Sequence, residues 1–243
     1  MTERRIFSLD ARPALVEIDP DRTAVIVVDM QNDFGSEGGM FHRAGIDICG
    51  IQAAVAPTTR VLDAARSAGM TVVYLKMEFE SDLSNTGRPD APNWITHLKL
   101  GGIGEQCDAP DGSSGRTLIR DTWNTAIVDE LRPEPGDLIV SKHRFSGFFE
   151  THLDAILRGR GIQQLVFTGC TTSVCVESTL RDAYFRDYHC VLLADCCAEP
   201  IGAWFPRTNH DATVLLVEIM FGAVSTSDAF VNVLSGVAAK VTA

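Results

Sequence analysis

The chain lacks most of the features that announce a function class. No segment of its 243 residues approaches the ~20 apolar residues of a membrane-spanning helix. The opening stretch, MTERRIFSLDARPALVEIDP, has no apolar signal core. Positive charge is scarce: the formal net charge of -11 argues against nucleic-acid partners and anionic membrane surfaces. It does not exclude an anionic substrate, because a pocket can concentrate Lys or Arg locally. Histidines are few, and His97 has no second histidine at metal-ligand spacing, so a solvated or hydrogen-bonding role is expected of it. The seven cysteines (49, 107, 170, 175, 190, 196 and 197) are odd in number and two are adjacent, which is not a disulfide framework. A reduced, cytoplasmic protein is the expectation. Repeats, low-complexity runs and composition breaks are missing too, so residues 1–243 read as a single domain.

What is present is an ordinary globular composition, 45% hydrophobic and 22% charged, patterned as alternating strands and helices. Continuous β-branched or apolar runs at Thr23–Val28, Thr71–Leu75, Asp137–Ser141, Ile162–Thr168 and His189–Ala194, with a short run at Ala223–Ser225, predict buried strands. Helical spacing lies between them over Ile51–Ala68, Thr125–Leu131, Thr151–Arg160, the stretch after Thr172, Arg207–Met220 and Ser227–Leu234. Gly69 stops the first of these helices, and Pro57 falls near its first turn or kinks it. Residues 1–22 read as an irregular lead-in with an edge strand at Ala14–Ile18. Lys76–Thr122 reads as a long segment without clear structure, the kind that serves as a functional loop or an interface element. The alternation implies an α/β fold, a mainly parallel sheet with helices on both faces.

Three strands end on residues of complementary chemistry. Asp29 follows Thr23–Val28, Lys142 follows Asp137–Ser141, and Cys175 follows Ile162–Thr168 after a polar turn. The carboxyl edge of a parallel sheet is where α/β proteins place their sites. Each residue alone has a plain alternative: an aspartate that caps a turn, or a cysteine that fills core. At a helix start, the dipole and free N–H groups would favour the Cys175 thiolate. Together the three make a nucleophile, a base and a cation at one edge.

At these residues the chain resembles the isochorismatase-like cysteine hydrolases. The matching stretches are Ala24–Phe34 (AVIVVDMQNDF), Val140–Phe149 (VSKHRFSGFF) and Val166–Arg181 (VFTGCTTSVCVESTLR). The resemblance implies a three-layer α/β/α fold with a six-stranded Rossmann-like sheet. It also implies a catalytic triad of Asp29, Lys142 and Cys175, an oxyanion hole from the N–H groups of Thr171 and Cys175, and a cis peptide between Cys170 and Thr171. No cofactor and no metal are expected: the branch of this family that binds metal does so after the second strand, where Lys76-Met77-Glu78-Phe79 supplies no matching set. Likeness is greatest to ureidoacrylate and biuret-type members, although the ureidoacrylate branch carries Gln-Asn-Gly-Trp where this chain has Lys76–Phe79. Gly101–Arg116 reads as extra loop.

The resemblance thus implies hydrolysis of a small ureido or carbamoyl compound through a thioester. Biuret, triuret, N-carbamoyl amino acids, simple amides and lactams stay open as substrates. A non-catalytic binding protein and a redox-sensing thiol protein with Cys196-Cys197 are alternatives of other classes. Gln31 and Asn32 are placed at the substrate or in fixing the turn. Phe34 and Trp94 close the site or pack. Arg144, with Ser146 and Phe148, lines the pocket and suits a carboxylate, or is a loop or interface charge. Glu218 accepts from ureido N–H groups or faces outward. A homo-oligomer, dimer or tetramer, is implied, with Lys76–Thr122 and the last helix as interface elements.

Overall fold

A computed structural model of the chain describes residues 5–241. Its strands are β1 (Phe7–Leu9), β2 (Val16–Ile18), β3 (Thr23–Val28), β4 (Thr71–Met77), β5 (Gln106–Asp108), β6 (Ser114–Arg116), β7 (Leu138–Lys142), β8 (Gln164–Cys170), β9 (His189–Ala198) and β10 (Ala223–Ser225). Its helices are α1 (Asn32–Gly35), α2 (Met40–Arg43), α3 (Cys49–Ser67), α4 (Pro92–Gly101), α5 (Leu153–Gly159), α6 (Glu177–Tyr184), α7 (Asn209–Leu216) and α8 (Ser227–Val241). None of the described helices is long and apolar enough to cross a membrane.

Six strands form one parallel sheet in the order β10-β9-β8-β3-β4-β7. The chain runs outward from β3 through β4 to β7, then returns to the other side of β3 and runs outward again. The reversal between β3 and β8 is a topological switch point, and the crevice at the carboxyl ends of those two strands is the natural site.

The layering follows from the composition of β3. All six of its residues are buried. Because side chains alternate across a strand, Val25 and Val27 enter one core, while Ala24, Ile26 and Val28 enter the other. The first core is closed by Ile51, Val61 and Leu62 of α3 with Phe230 and Leu234 of α8. The second is closed by Leu153 and Leu157 of α5 with Leu180 and Ala183 of α6. Each fully buried Val, Ile or Leu contributes about 1.5–3 kcal/mol, so a strand with two apolar faces specifies a sheet covered on both sides. The sheet holds at β8 only because residue 169 is glycine. It has φ +110°, and a Cβ there would lie 2.0 Å from the Val28 carbonyl oxygen.

The structure departs from the sequence reading in several places. The lead-in forms an antiparallel pair, β1 with β2. The stretch Lys76–Thr122 is not structureless, since it carries α4 and the antiparallel pair β5–β6. The helix expected over Thr125–Leu131 is two short 3-10 turns, Trp123–Thr125 and Asp129–Leu131. Strand β9 does not stop at Ala194 but continues through a register shift to Ala198, which pairs with Cys170. Helix α3 starts at Cys49, so Pro57 lies in its interior.

Candidate active site

Strand β3 ends at Val28, and Asp29 follows with a φ of 51° that turns the chain away from the sheet. The Asp29 N–H still bonds the Leu75 carbonyl of β4 at 3.0 Å, and the Asp29 carbonyl accepts from Gln31 N at 2.8 Å and from the Cys170 thiol at 3.2 Å. The backbone is therefore pinned between β4 and β8, and the carboxylate projects over the switch point.

Lys142 ends β7, two strands away, and its side chain crosses the end of β4 to reach Asp29. Its Nζ lies 2.7 Å from Asp29 Oδ2, 3.6 Å from Met77 Sδ and 3.2 Å from the Arg144 carbonyl. Neither side chain meets solvent, at 0% and 1% exposure. Two charges taken out of water at this depth are tolerated only as a pair. The Cys175 thiol completes the group, buried at 7% exposure and acted on by both charges. The structure brings together the three residues that the sequence placed at separate strand ends.

The electrostatics differ from the expectation for a cysteine at a helix start. Burial pushes the Cys175 thiol far up, and the charge of Lys142 only partly offsets this. Cys175 lies inside a π-turn, Thr172–Val176, that precedes α6. Desolvation there outweighs the helix dipole, so the resting state is a thiol that needs a base. Burial likewise raises the Asp29 carboxyl against the opposing pull of Lys142, making it a stronger base than a surface aspartate. For Lys142, burial works against the charge, but the Asp29 carboxylate lifts it, so it stays an ammonium.

The π-turn is held from outside by residues that no sequence motif marked. Glu199 accepts from Ser173 N at 2.9 Å, Ser173 Oγ at 2.5 Å and Ile201 N at 2.9 Å. Thr172 Oγ1 meets His210 Nδ1 at 2.9 Å. Thr179 Oγ1 donates to the Cys175 carbonyl at 2.7 Å and accepts from Gly147 N at 3.0 Å, tying the cysteine turn to the segment after Lys142. The Thr171 carbonyl accepts from Val174 N and Val176 N at 3.1 and 3.2 Å, and the Cys170–Thr171 peptide is cis.

Most of the residues suggested for substrate contact are committed elsewhere. The Gln31 amide is fully used on Met77 N, Met77 O and Thr125 O at 2.8–3.0 Å, and Asn32 on Trp123 O and Ser36 Oγ, both at 2.8 Å. Both fix the turn. Phe34 packs edge-on against Phe41, 5.1 Å between centroids, within the first core. Ser146 Oγ donates to Asp182 Oδ2 at 2.5 Å. Phe148 is core, with Tyr188 at 6.0 Å and the Arg186 guanidinium over its ring. Glu218 pairs with Arg12 at 3.4 Å, on the element leading into the edge strand β10.

Arg144 and Trp94 are left with freer faces. The Arg144 guanidinium donates to the carbonyls of Asn85 and His143 and sits 5.6 Å over Phe149. It forms no salt bridge among the described residues, which suits an incoming carboxylate. Half-buried Trp94 packs on the first core from α4. Cys196 and Cys197 point to opposite cores, so they are no dithiol pair, and burial raises both, Cys196 to about 12. Among the described residues, no group of three or more His, Cys, Asp or Glu side chains is gathered to hold a metal.

A Rossmann-ordered sheet with this group at its switch point defines a class of α/β domain, and comparison with known proteins places it. The chain belongs to the isochorismatase family: the model of the isochorismatase domain matches residues 23–229. It is 43% identical over 229 residues to the ureidoacrylate amidohydrolase RutB of Agrobacterium fabrum, covering 94% of this chain and 97% of that one. Among solved structures, a cysteine hydrolase from Pseudomonas syringae pv. phaseolicola superposes with TM-score 0.73 at 27% identity, over 97% of this chain and 99% of that one. N-carbamoylsarcosine amidase from Thermoplasma acidophilum gives TM-score 0.62 at 27% identity, over 85% and 97%.

Proposed function

We propose that the protein is a cysteine-dependent amidohydrolase that cleaves a C–N bond of a small ureido acid, with ureidoacrylate as the first candidate. The observation that carries this reading is the buried 2.7 Å pair of Lys142 and Asp29 against the Cys175 thiol. It joins a nucleophile to a strengthened base in a dry site. The named relative at 43% identity supplies the substrate class.

Asp29 takes the Cys175 proton as the sulfur attacks the ureido carbonyl carbon, and Lys142 balances the negative charge that shifts between carboxylate and sulfur. The N–H groups of Thr171 and Cys175 receive the oxyanion. Asp29 returns the proton to the departing nitrogen, so that amine leaves and a carbamoyl thioester remains. Water, deprotonated by Asp29, then releases carbamate and restores the thiol. Arg144 holds the acid's carboxylate. No metal or cofactor takes part in this scheme. The active form is proposed to be a cytoplasmic homo-oligomer, which sedimentation and fractionation test.

The test is ammonia release from ureidoacrylate, biuret, N-carbamoyl amino acids and simple amides, with Cys175→Ser beside the wild type. Turnover of a ureido acid that vanishes in the folded variant is expected. Full turnover in Cys175→Ser would sink the mechanism, and turnover confined to a simple amide would sink the substrate class.

A further inference from the structure

His97 is a buried group that the proposed mechanism does not use. It lies on α4, only 4% exposed, between the rings of Phe79 and Phe145 at 5.5 and 5.6 Å. The two charges that act on it are Lys142 and Arg144, the cation of the triad and the cation proposed for the substrate carboxylate. Its Nδ1 lies 2.8 Å from the Asn93 carbonyl. A carbonyl can only accept, so Nδ1 carries the proton. In a neutral imidazole that leaves Nε2 as a lone-pair acceptor. Among the described residues the ring's one hydrogen bond is the contact at Nδ1. Neutrality is enforced by the surroundings: burial, and then the two nearby cations, hold the group down to about 4.

The molecule therefore sets an acceptor, fixed in tautomer by its own helix, within the electrostatic reach of two cations that can only donate. An ureido compound carries N–H donors next to its carbonyl oxygen. The cations and the backbone N–H groups answer the oxygen and the carboxylate, but cannot answer the N–H groups.

Resting on the ureido-acid reading above, we propose that His97 Nε2 accepts a hydrogen bond from the substrate's ureido N–H and so orients the carbonyl carbon toward Cys175. His97 is then a positioning residue that selects N–H-bearing substrates over esters of similar size.

The test compares His97→Phe and His97→Gln with the wild type on ureidoacrylate and on p-nitrophenyl acetate, an ester without N–H donors. Phe keeps the ring packing and removes the acceptor; Gln can restore one. Losing a single buried hydrogen bond predicts a fall of about 10–100-fold in kcat/KM for ureidoacrylate in His97→Phe. Acylation by the ester should be unchanged, and His97→Gln should recover part of the loss. An equal fall on both substrates, or no fall on either, overturns the proposal. A second readout does not depend on turnover. Nitrogen-15 spectra of the Cys175→Ser protein should show His97 as the Nδ1–H tautomer, with the Nε2 resonance moving when urea, the smallest ureido compound, is added. A protonated Nε2, or no movement at saturating urea, also overturns it. A wild type that is silent on ureidoacrylate but shows the urea-dependent shift would condemn the substrate assignment and leave the role of His97 standing.

Discussion

Asp29 and Asp33 sit four residues apart in one motif, and both are buried carboxylates raised above the ordinary range first of all by desolvation. Their surroundings differ. Asp33 accepts from Met40 N at 2.9 Å, Leu118 N at 2.7 Å and Asn124 Nδ2 at 2.7 Å, three neutral donors from three separate segments. It is a clamp that fastens the loops around the site. Asp29 faces one ammonium at 2.7 Å and a thiol. Its proton affinity is opposed mainly by the ammonium and the thiol, with the Met77 backbone as the one fixed group, so it can exchange a proton with a neighbour. Burial by itself does not make a carboxylate a base; what matters is whether its partners can also move a proton.

The largest effect expected from breaking this contrast is on turnover. Asp29→Asn should lower kcat by about 10³-fold, the range of a lost general base. The variant should also melt earlier, because Lys142 is left as an unpaired buried charge. Steady-state kinetics with a thermal melt checks both; a folded Asp29→Asn enzyme at wild-type rate would erase the distinction. Asp33→Asn should do the reverse. Its amide points donors at donors, costing about 3 kcal/mol in a denaturant melt, while the folded fraction keeps its catalytic rate. If the purified, folded Asp33→Asn protein is as inactive as Asp29→Asn, the two aspartates are not separable.

Next in size is a pH effect. His97 titrates near 4 in the folded protein and near 6.5 when unfolded, so the unfolded chain binds the proton more readily in between. Stability from this group is complete above pH ~6.5 and is lost as pH falls toward 4, by up to about 3 kcal/mol. His97→Phe should flatten that part of the melt-versus-pH curve. An unchanged slope would mean the histidine is not held neutral. The smallest effect concerns a third carboxylate, Asp195 of β9, which accepts from Ser227 N and Ser227 Oγ at 2.8 and 2.5 Å at the start of α8. Asp195→Ala should cost about 1 kcal/mol, the value of a lost helix cap, and leave turnover alone.

Much was legible from the sequence alone. The buried strands, the helices between them and the placement of Asp29, Lys142 and Cys175 at strand ends follow from apolar runs and turn residues, which are local signals. The segment Lys76–Thr122 was less legible, because α4 and β5–β6 are short and half-exposed, so their periodicity is weak. The roles of Gln31, Asn32, Ser146 and Phe148 depended on partners 36 to 94 positions away for the polar three, and on Tyr188 and Arg186 for the ring. Only the tertiary structure decided that β8 lies beside β3, and that the lysine of an edge strand reaches over β4 to the central aspartate. It alone decided that burial rather than a helix dipole governs the cysteine, and that His97 stands neutral beside two cations. The physical reason is that strand order, desolvation and hydrogen-bond partnership arise from residues far apart in the chain, whereas strand and turn preference is carried by neighbours.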